Sequence, residues 1–265
     1  MPVHHGIPSG PFHLPAALYG PDFNGAYHSP WLGPLLADLE TARRTNTRVL
    51  LNLTGSSTNF TDENGFSMTR WKQLVDRFRG LDLSSYISDG TIVGHFLLDE
   101  PNDPTNFKGE VSTADIEEMA RYSKEIWPTM ATLIRAWPAK LKGYPFKNLD
   151  AAWAQYHSRF GPIQPFIESN VRDAKAAGLA LVMGLNVMNG GSPSSGIPGL
   201  REGKFAMSAS ELRTWGKAML DEPYVCAFLL WKYHEPYFSR ADIKAAMIDL
   251  THEAEGHPEK ACRHS

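Results

Sequence analysis

The stretch "IQPFIESNVRDAKAAGLALVMGLNVMNGG", residues 163 to 191, joins two different patterns through one glycine. Its first half reads as a helix stopped at Gly178, since glycine adopts the left-handed C-cap conformation without a Cβ penalty. Its second half is a near-continuous apolar run, the mark of a strand covered on both faces. A helix feeding a doubly covered strand is the repeating unit of a parallel sheet.

The unit recurs on both sides. Towards the N-terminus, "STADIEEMARYSKEIWP" leads to "ATLIRAWP" and "SMTRWKQLVDRFRG" to "GTIVGHFLLDEP". Before them "WLGPLLADLETARRTN", from Trp31, carries Leu35, Leu36, Leu39 and Ala42 at helical spacing and leads to "TRVLLNLTG". "LDAAWAQYH" follows a shorter polar connection. Towards the C-terminus "SASELRTWGKAMLDEP" feeds "YVCAFLLWKYHEPYF", and "SRADIKAAMIDLTHEAEG" closes the series. Ser208 with Glu211, and Ser239 with Asp242, have the spacing of helix N-terminal capping pairs.

Six strands are clear in this pattern. Residues 1 to 31, rich in Pro, Gly, His and aromatics, offer a further strand near Gly6 to His13 or Ala16 to Gly20. The expectation is an α/β chain folded as a (β/α)8 TIM-like barrel with an irregular or incomplete first unit. A doubly wound open sheet is the competitor, but "NLTGSSTNF" matches neither the dinucleotide fingerprint nor the P-loop. One barrel domain is expected over residues 1 to 256, with 257 to 265 as a frayed tail.

Composition narrows the partners. The chain has 265 residues, 42% of them hydrophobic, so it can bury a large core. A formal charge of -3 with 26 scattered basic residues gives no electrostatic footprint for nucleic acid or an anionic membrane. No apolar run approaches a membrane span, and Met1 to Gly10 lacks the regions of a signal peptide, although a removed export signal would leave no trace. Cys226, inside an apolar run, and Cys262, in a polar tail, are too few and too dissimilar to suggest a disulfide framework. The histidines show no metal-binding spacing, and no cofactor motif is present.

In a parallel barrel every strand delivers its C-terminal residues to one face, so those residues are read together. Asn52, Asp99, Glu100, Arg135, Trp137, Gln155, Tyr156, Asn186, Trp231, Tyr233 and Glu235 make such a set. Flat rings suit the C–H faces of a sugar; amides, acids and Arg suit its hydroxyls. Each has a plainer role as well. The amides can cap turns, the tryptophans can fill the core, and Arg135 can neutralise Asp99 or Glu100. His95, several residues before a strand end, reads as an interior histidine. The loop from Gly190 to Phe205, rich in Gly, Ser and Pro, is either a lid or a plain exposed loop.

Asp99 and Glu100 resist the plain reading, because two consecutive carboxylates after Phe-Leu-Leu must be hydrated, paired or functional. Strand alternation predicts that the two do not project alike into a pocket. "LLDEPND" resembles the strand-end signature of the large clan of TIM-barrel glycoside hydrolases that contains the family 5 and family 42 type enzymes, where Asn-Glu-Pro closes the fourth strand. "FLLWKYHEP" is similar to that clan's last strand, which ends in a tryptophan sugar platform. The resemblance implies that Glu100 is the general acid/base, that Asp99 stands where the clan has Asn, and that Trp231 is the platform. It departs at the penultimate strand, where the clan places a second Glu and "LALVMGLNVMNGG" offers only Asn186 and Asn189.

Glycoside hydrolysis usually needs two carboxyl groups flanking the bond. Glu235 is the first candidate for the second, with Asp99 next. The resulting expectation is a hydrolase acting on an oligo- or polysaccharide, with Glu100 as proton donor and no cofactor or metal. Its rivals are a non-catalytic carbohydrate-binding barrel that lacks the second acid, and a lyase on the same scaffold.

Overall fold

The computed structural model describes residues 4 to 30 and 34 to 263. Trp31, the start of the first expected helix, lies outside the described residues. Eight parallel strands form one sheet: β1 Ser9–Pro11, β2 Gly25–His28, β3 Arg48–Leu51, β4 Ile92–Asp99, β5 Thr132–Arg135, β6 Ala151–Tyr156, β7 Ala180–Leu185 and β8 Val225–Leu230. Each pairs with its neighbour in chain order from β2 to β8, and β8 pairs with β1. The ring closes between β1 and β2 through a parallel bridge of Phe12 with Tyr27, where the His13 N–H donates to the Tyr27 carbonyl at 2.9 Å. The expected barrel is therefore the observed architecture.

The nine helices among the described residues are α1 Leu35–Arg44, α2 Met68–Asp76, α3 Ser84–Ser88, α4 Pro104–Phe107, α5 Thr113–Ile126, α6 Ile163–Ala177, α7 Ala209–Leu220, α8 Glu235–Phe238 and α9 Ala241–Gly256. The capping signals mostly do as the sequence predicts. Gly178 ends α6 at φ 69°, and Ser208 with Glu211 forms a complete capping box on α7. Ser239 and Asp242 do not form theirs. Arg240 precedes α9 without a side-chain cap, and the Ser239 hydroxyl instead donates to Glu235 on α8.

The first unit is irregular, as expected, and its first strand, Ser9–Pro11, falls within the Gly6 to His13 alternative. Ala16–Leu18 is a single 3-10 turn rather than a strand, and the second strand is the four-residue "GAYH" that the sequence pattern does not reveal. No long helix links β1 to β2, so α9 packs on β1 from the other end of the chain, with the Ile7 N–H donating to the Ala254 carbonyl at 2.9 Å. The seam tolerates no side chain: a Cβ on Gly10 would lie 1.7 Å from the Gly25 carbonyl oxygen.

Side chains alternate across the barrel wall. One set faces the helices, while Phe12, Tyr27, Leu50, Phe96, Leu133, Trp153, Val182 and Leu229 belong to a separate buried cluster inside the ring. Four of these are aromatic and pack on one another: Phe12 stacks on Tyr27 with centroids 3.9 Å apart, and Trp153 lies 4.7 Å from Phe12 and 5.8 Å from Phe96. Each such pair adds about 0.5–1.5 kcal/mol beyond area burial.

The C-terminal segment departs from expectation. Cys262 is bonded to Cys226 near the start of β8, both are buried, and the Arg263 guanidinium donates to the Pro128 and Thr129 carbonyls. The tail is thus docked through residue 263 rather than frayed. The disulfide escaped the sequence argument because only the closed ring brings an interior strand residue against a chain segment returning under it.

Candidate functional site

The strand ends open on a cleft with two lobes. One, of about 620 Å³, has Phe12, Tyr27 and Phe96 at its floor and the Asn52–Asn59 loop at its side. The other, of about 750 Å³, is lined by Glu100, Trp137, Trp153, Gln155 and Asn186. Asp99, Asn106 and Trp231 border both. The aromatic layer inside the barrel is therefore the floor of the cleft, which holds the polar rim above a rigid plug.

A local irregularity aims the two acids. The pairing of β4 with β5 shifts register between Phe96 and Leu98, and the carbonyl of Leu97 is taken by the Trp71 indole N–H at 3.0 Å. Such a bulge twists a strand end and re-aims the residues beyond it. Glu100 then adopts a left-handed backbone, φ 46°, with its N–H donating to the Arg135 carbonyl at 2.9 Å. Strand alternation, which predicts different directions for Asp99 and Glu100, stops at this residue.

Both carboxylates meet the same guanidinium. Arg135 grips Asp99 in a two-pronged pair through Nε and Nη2, and Nη2 also lies 3.2 Å from Glu100 Oε2. Since Nη2 is 2.9 Å from Asp99 Oδ2, the two acids bring oxygens within about 6 Å of each other. Nη1 donates to Gln155 Oε1 at 2.9 Å, so a side chain from β6 completes the cluster. The Arg135 side chain is only 12% exposed, whereas Glu100 keeps 49% of its surface open to the cleft. Protein crowding around the Glu100 carboxyl, reinforced by Asp99 and Asp103, pushes it above the ordinary glutamate value; Arg135 and Arg201 pull it down, and the net shift is upward.

The remaining expected residues divide. Trp137, half exposed, and Trp231 lie on the cleft wall, and the Trp231–Lys232 peptide is cis. Asn186 lines the cleft while its Oδ1 accepts from the Asn189 N–H at 2.9 Å. Asn52 borders the first lobe, but its amide is committed to the loop: it donates to the Tyr27 hydroxyl and the Gly55 carbonyl and accepts from Thr54 and Gly55. Tyr156 is not brought to the cleft. It is 2% exposed, packs against Phe166 and Trp215, and donates to the Gly161 carbonyl.

Tyr233 and Glu235 also stand apart from both lobes. The chain leaves β8 and turns into α8, which puts Glu235 on an exposed first turn. The Tyr233 hydroxyl, and then that of Ser239, donate to its carboxylate and hold it below the ordinary value. The structure thus does not set Glu235 opposite Glu100. His95 is an interior residue, bonded to the Ser123 hydroxyl at 2.8 Å and pushed down to about 3 by burial.

Sequence reasoning missed Trp153, Asp103, Arg159, Arg201 and Lys204, all on the second lobe. Trp153 had a signal, since it shares a strand face with Gln155. The others sit in loops whose return to the cleft no local pattern announces. Arg201 and Lys204 belong to the loop after β7, where Ile197–Pro198 pairs with Phe205–Ala206 and the Arg201 N–H donates to Asn189 Oδ1 at 3.0 Å.

No family model and no curated protein matches the chain. Solved structures do. A chitinase from Rhizomucor miehei aligns with TM-score 0.59 at 13% identity, over 91% of this chain and 99% of its own. The catalytic domain of the major endoglucanase of Xanthomonas campestris pv. campestris aligns with TM-score 0.54 at 11% identity, over 96% and 95%. A β-glucuronidase from Parabacteroides merdae aligns with TM-score 0.57 at 9% identity over 85% of this chain, which spans only 31% of that protein. Identities this low speak to fold, and the fold is the parallel (β/α)8 barrel that these sugar-cleaving enzymes share. They do not single out the family 5 and 42 clan.

Proposed function

We propose that the chain is a carbohydrate-active barrel of glycoside hydrolase type. One observation carries the reading: Glu100, its carboxyl raised, opens into a cleft walled by Trp137 and Trp231 at the strand C-termini. Raising the pKa keeps a carboxyl protonated nearer neutral pH, which a proton donor to a glycosidic oxygen requires. Trp137 and Trp231 would stack on sugar faces, Gln155 and Asn186 would bond hydroxyls, and Arg135 would fix the direction of Glu100. Asn52 shapes the rim through its loop, while Tyr156 and Tyr233 stand off the cleft and take no part in ligand binding in this reading. The Asp-Glu-Pro strand end fits a variant of the family 5 and 42 clan.

Asp99 is the second carboxylate of this reading. It lies on the cleft and close enough to Glu100 for a two-acid mechanism. Glu235, exposed on α8, would enter only if that turn moved. A second reading has its own support: both Asp99 oxygens are engaged by Arg135, and β7 is followed by Asn186 rather than by a carboxylate. That arrangement suits a barrel that binds sugars without cleaving them.

Hydrolysis of a panel of aryl glycosides and polysaccharides, with sugar binding measured in parallel, separates the two. Turnover that disappears in Glu100→Gln supports the hydrolase; binding without turnover supports the second reading. Full turnover in Glu100→Gln refutes the catalytic assignment, and neither binding nor turnover refutes both.

A further inference from the structure

Four cations ring the second lobe of the cleft outside any ion pair among the described residues, although Arg201 is near enough to Glu100 and Asp103 to pull their carboxyls down. Lys140 follows β5, Arg159 follows β6, and Arg201 and Lys204 lie on the loop after β7. Among the described residues other exposed cations, such as Arg44, Arg77, Lys108 and Lys147, make no ion pair either, and what distinguishes these four is that they converge on one lobe. With Arg135 the lobe holds five cations against the three carboxylates of Asp99, Glu100 and Asp103. Asp99 and Glu100 are already held by Arg135, and Asp103 accepts from the Thr105 N–H and hydroxyl. The chain as a whole carries -3, so this positive lobe is a local concentration of charge.

The floor of the same lobe adds donors that lack acceptors. Trp153 is fully buried and Gln155 is 8% exposed, and neither Trp153 Nε1 nor Gln155 Nε2 has a hydrogen-bond partner. A buried donor left unpaired costs about 1–3 kcal/mol, which an acceptor on a ligand would offset. His157 at the rim is held below its ordinary value by burial first and then by Arg159 and Lys204, in keeping with a positive field there.

We propose that the second lobe receives an acidic unit of an anionic glycan, its carboxylate or sulfate facing Arg159, Arg201 and Lys204 and its hydroxyls facing Trp153 and Gln155. This rests on the carbohydrate reading above and adds to it the charge of the substrate. The first lobe, with Arg77 and Asp99 as its ionic residues other than histidine, would take neutral units of the same chain.

The test is binding of matched neutral, uronic-acid-containing and sulfated tri- to hexasaccharides, by array and then calorimetry. Glu100→Gln serves as the non-cleaving form. Wild type is measured beside it, so that loss of one negative charge is not mistaken for anion preference. Acidic glycans should bind at least about tenfold tighter than their neutral counterparts, and the advantage should shrink as salt rises. The Arg201→Gln/Lys204→Gln double variant should lower acidic affinity by about fivefold or more, since exposed pairs are individually weak. Which acidic arm binds identifies carboxylate or sulfate as the group recognised. Equal affinity for neutral glycans, or an acidic preference untouched by the double variant, overturns the inference and leaves the carbohydrate reading standing. No glycan bound by either protein overturns both.

Discussion

Between Asp99 and Glu100 the backbone passes into the left-handed region, and that turn brings two consecutive acids to one guanidinium. The sequence announced the acids and left Arg135 between a counter-ion and a substrate contact, but nothing in it showed a bulge at Leu97 or a positive φ at a glutamate. Two expectations belong here. Removing Arg135 leaves both acids facing each other, so Arg135→Met should cost about 2–3 kcal/mol in urea denaturation, less than a fully buried pair because both carboxylates stay partly solvated. Glu100 carries a folded-state pKa above its unfolded value. Its contribution to stability is complete below the unfolded value and is lost as pH rises through the folded one. Glu100→Gln should therefore melt above wild type at neutral pH, with the gap closing below the ordinary glutamate range. A gap of constant size, or one of opposite sign, would show that the carboxyl is not raised.

Elements were legible where an apolar run or a helical period marked them. Six of the eight strands follow from apolar runs bounded by turn signals, and the caps at Gly178 and Ser208 from residue type alone. β2 was not legible, because four residues beginning with glycine show no period, and α8 was not, because "EPYF" reads equally as a turn after a strand. That short helix is what carries Glu235 away from the cleft. Tyr156 and Tyr233 do not reach the cleft, because nearness to a strand end says nothing of which face a residue occupies, and Asn52 lines the first lobe with its amide already bonded to its own loop. The β1–β2 seam makes a sharp test of the ring. Gly10→Ala places a Cβ against the Gly25 carbonyl and should cost about 3 kcal/mol or prevent folding, whereas loss of the α7 cap in Ser208→Ala should cost only about 1 kcal/mol.

At the scale of the molecule, the ring converts distant segments into one site and one closure. Loops after β4, β5, β6 and β7 contribute to the second lobe, so charges that look scattered along the chain are gathered in space. The closing segment is tied by Cys226–Cys262, which spans 36 residues. Cys262→Ser should lower stability by about 2–4 kcal/mol, read as a drop in melting temperature that reducing agent reproduces in wild type and not in the variant. None of this requires catalysis; the assignment of Glu100 does. A general acid matters most when the leaving group is poor, because a good one departs without its proton. The decisive measurement is the rate of Glu100→Gln, relative to wild type, on two glycosides of one sugar, one bearing a dinitrophenolate and one an alkoxide leaving group. The account predicts a loss of about a hundredfold or more on the alkoxide and a far smaller loss on the dinitrophenolate. Equal losses on both, or none on either, would contradict it.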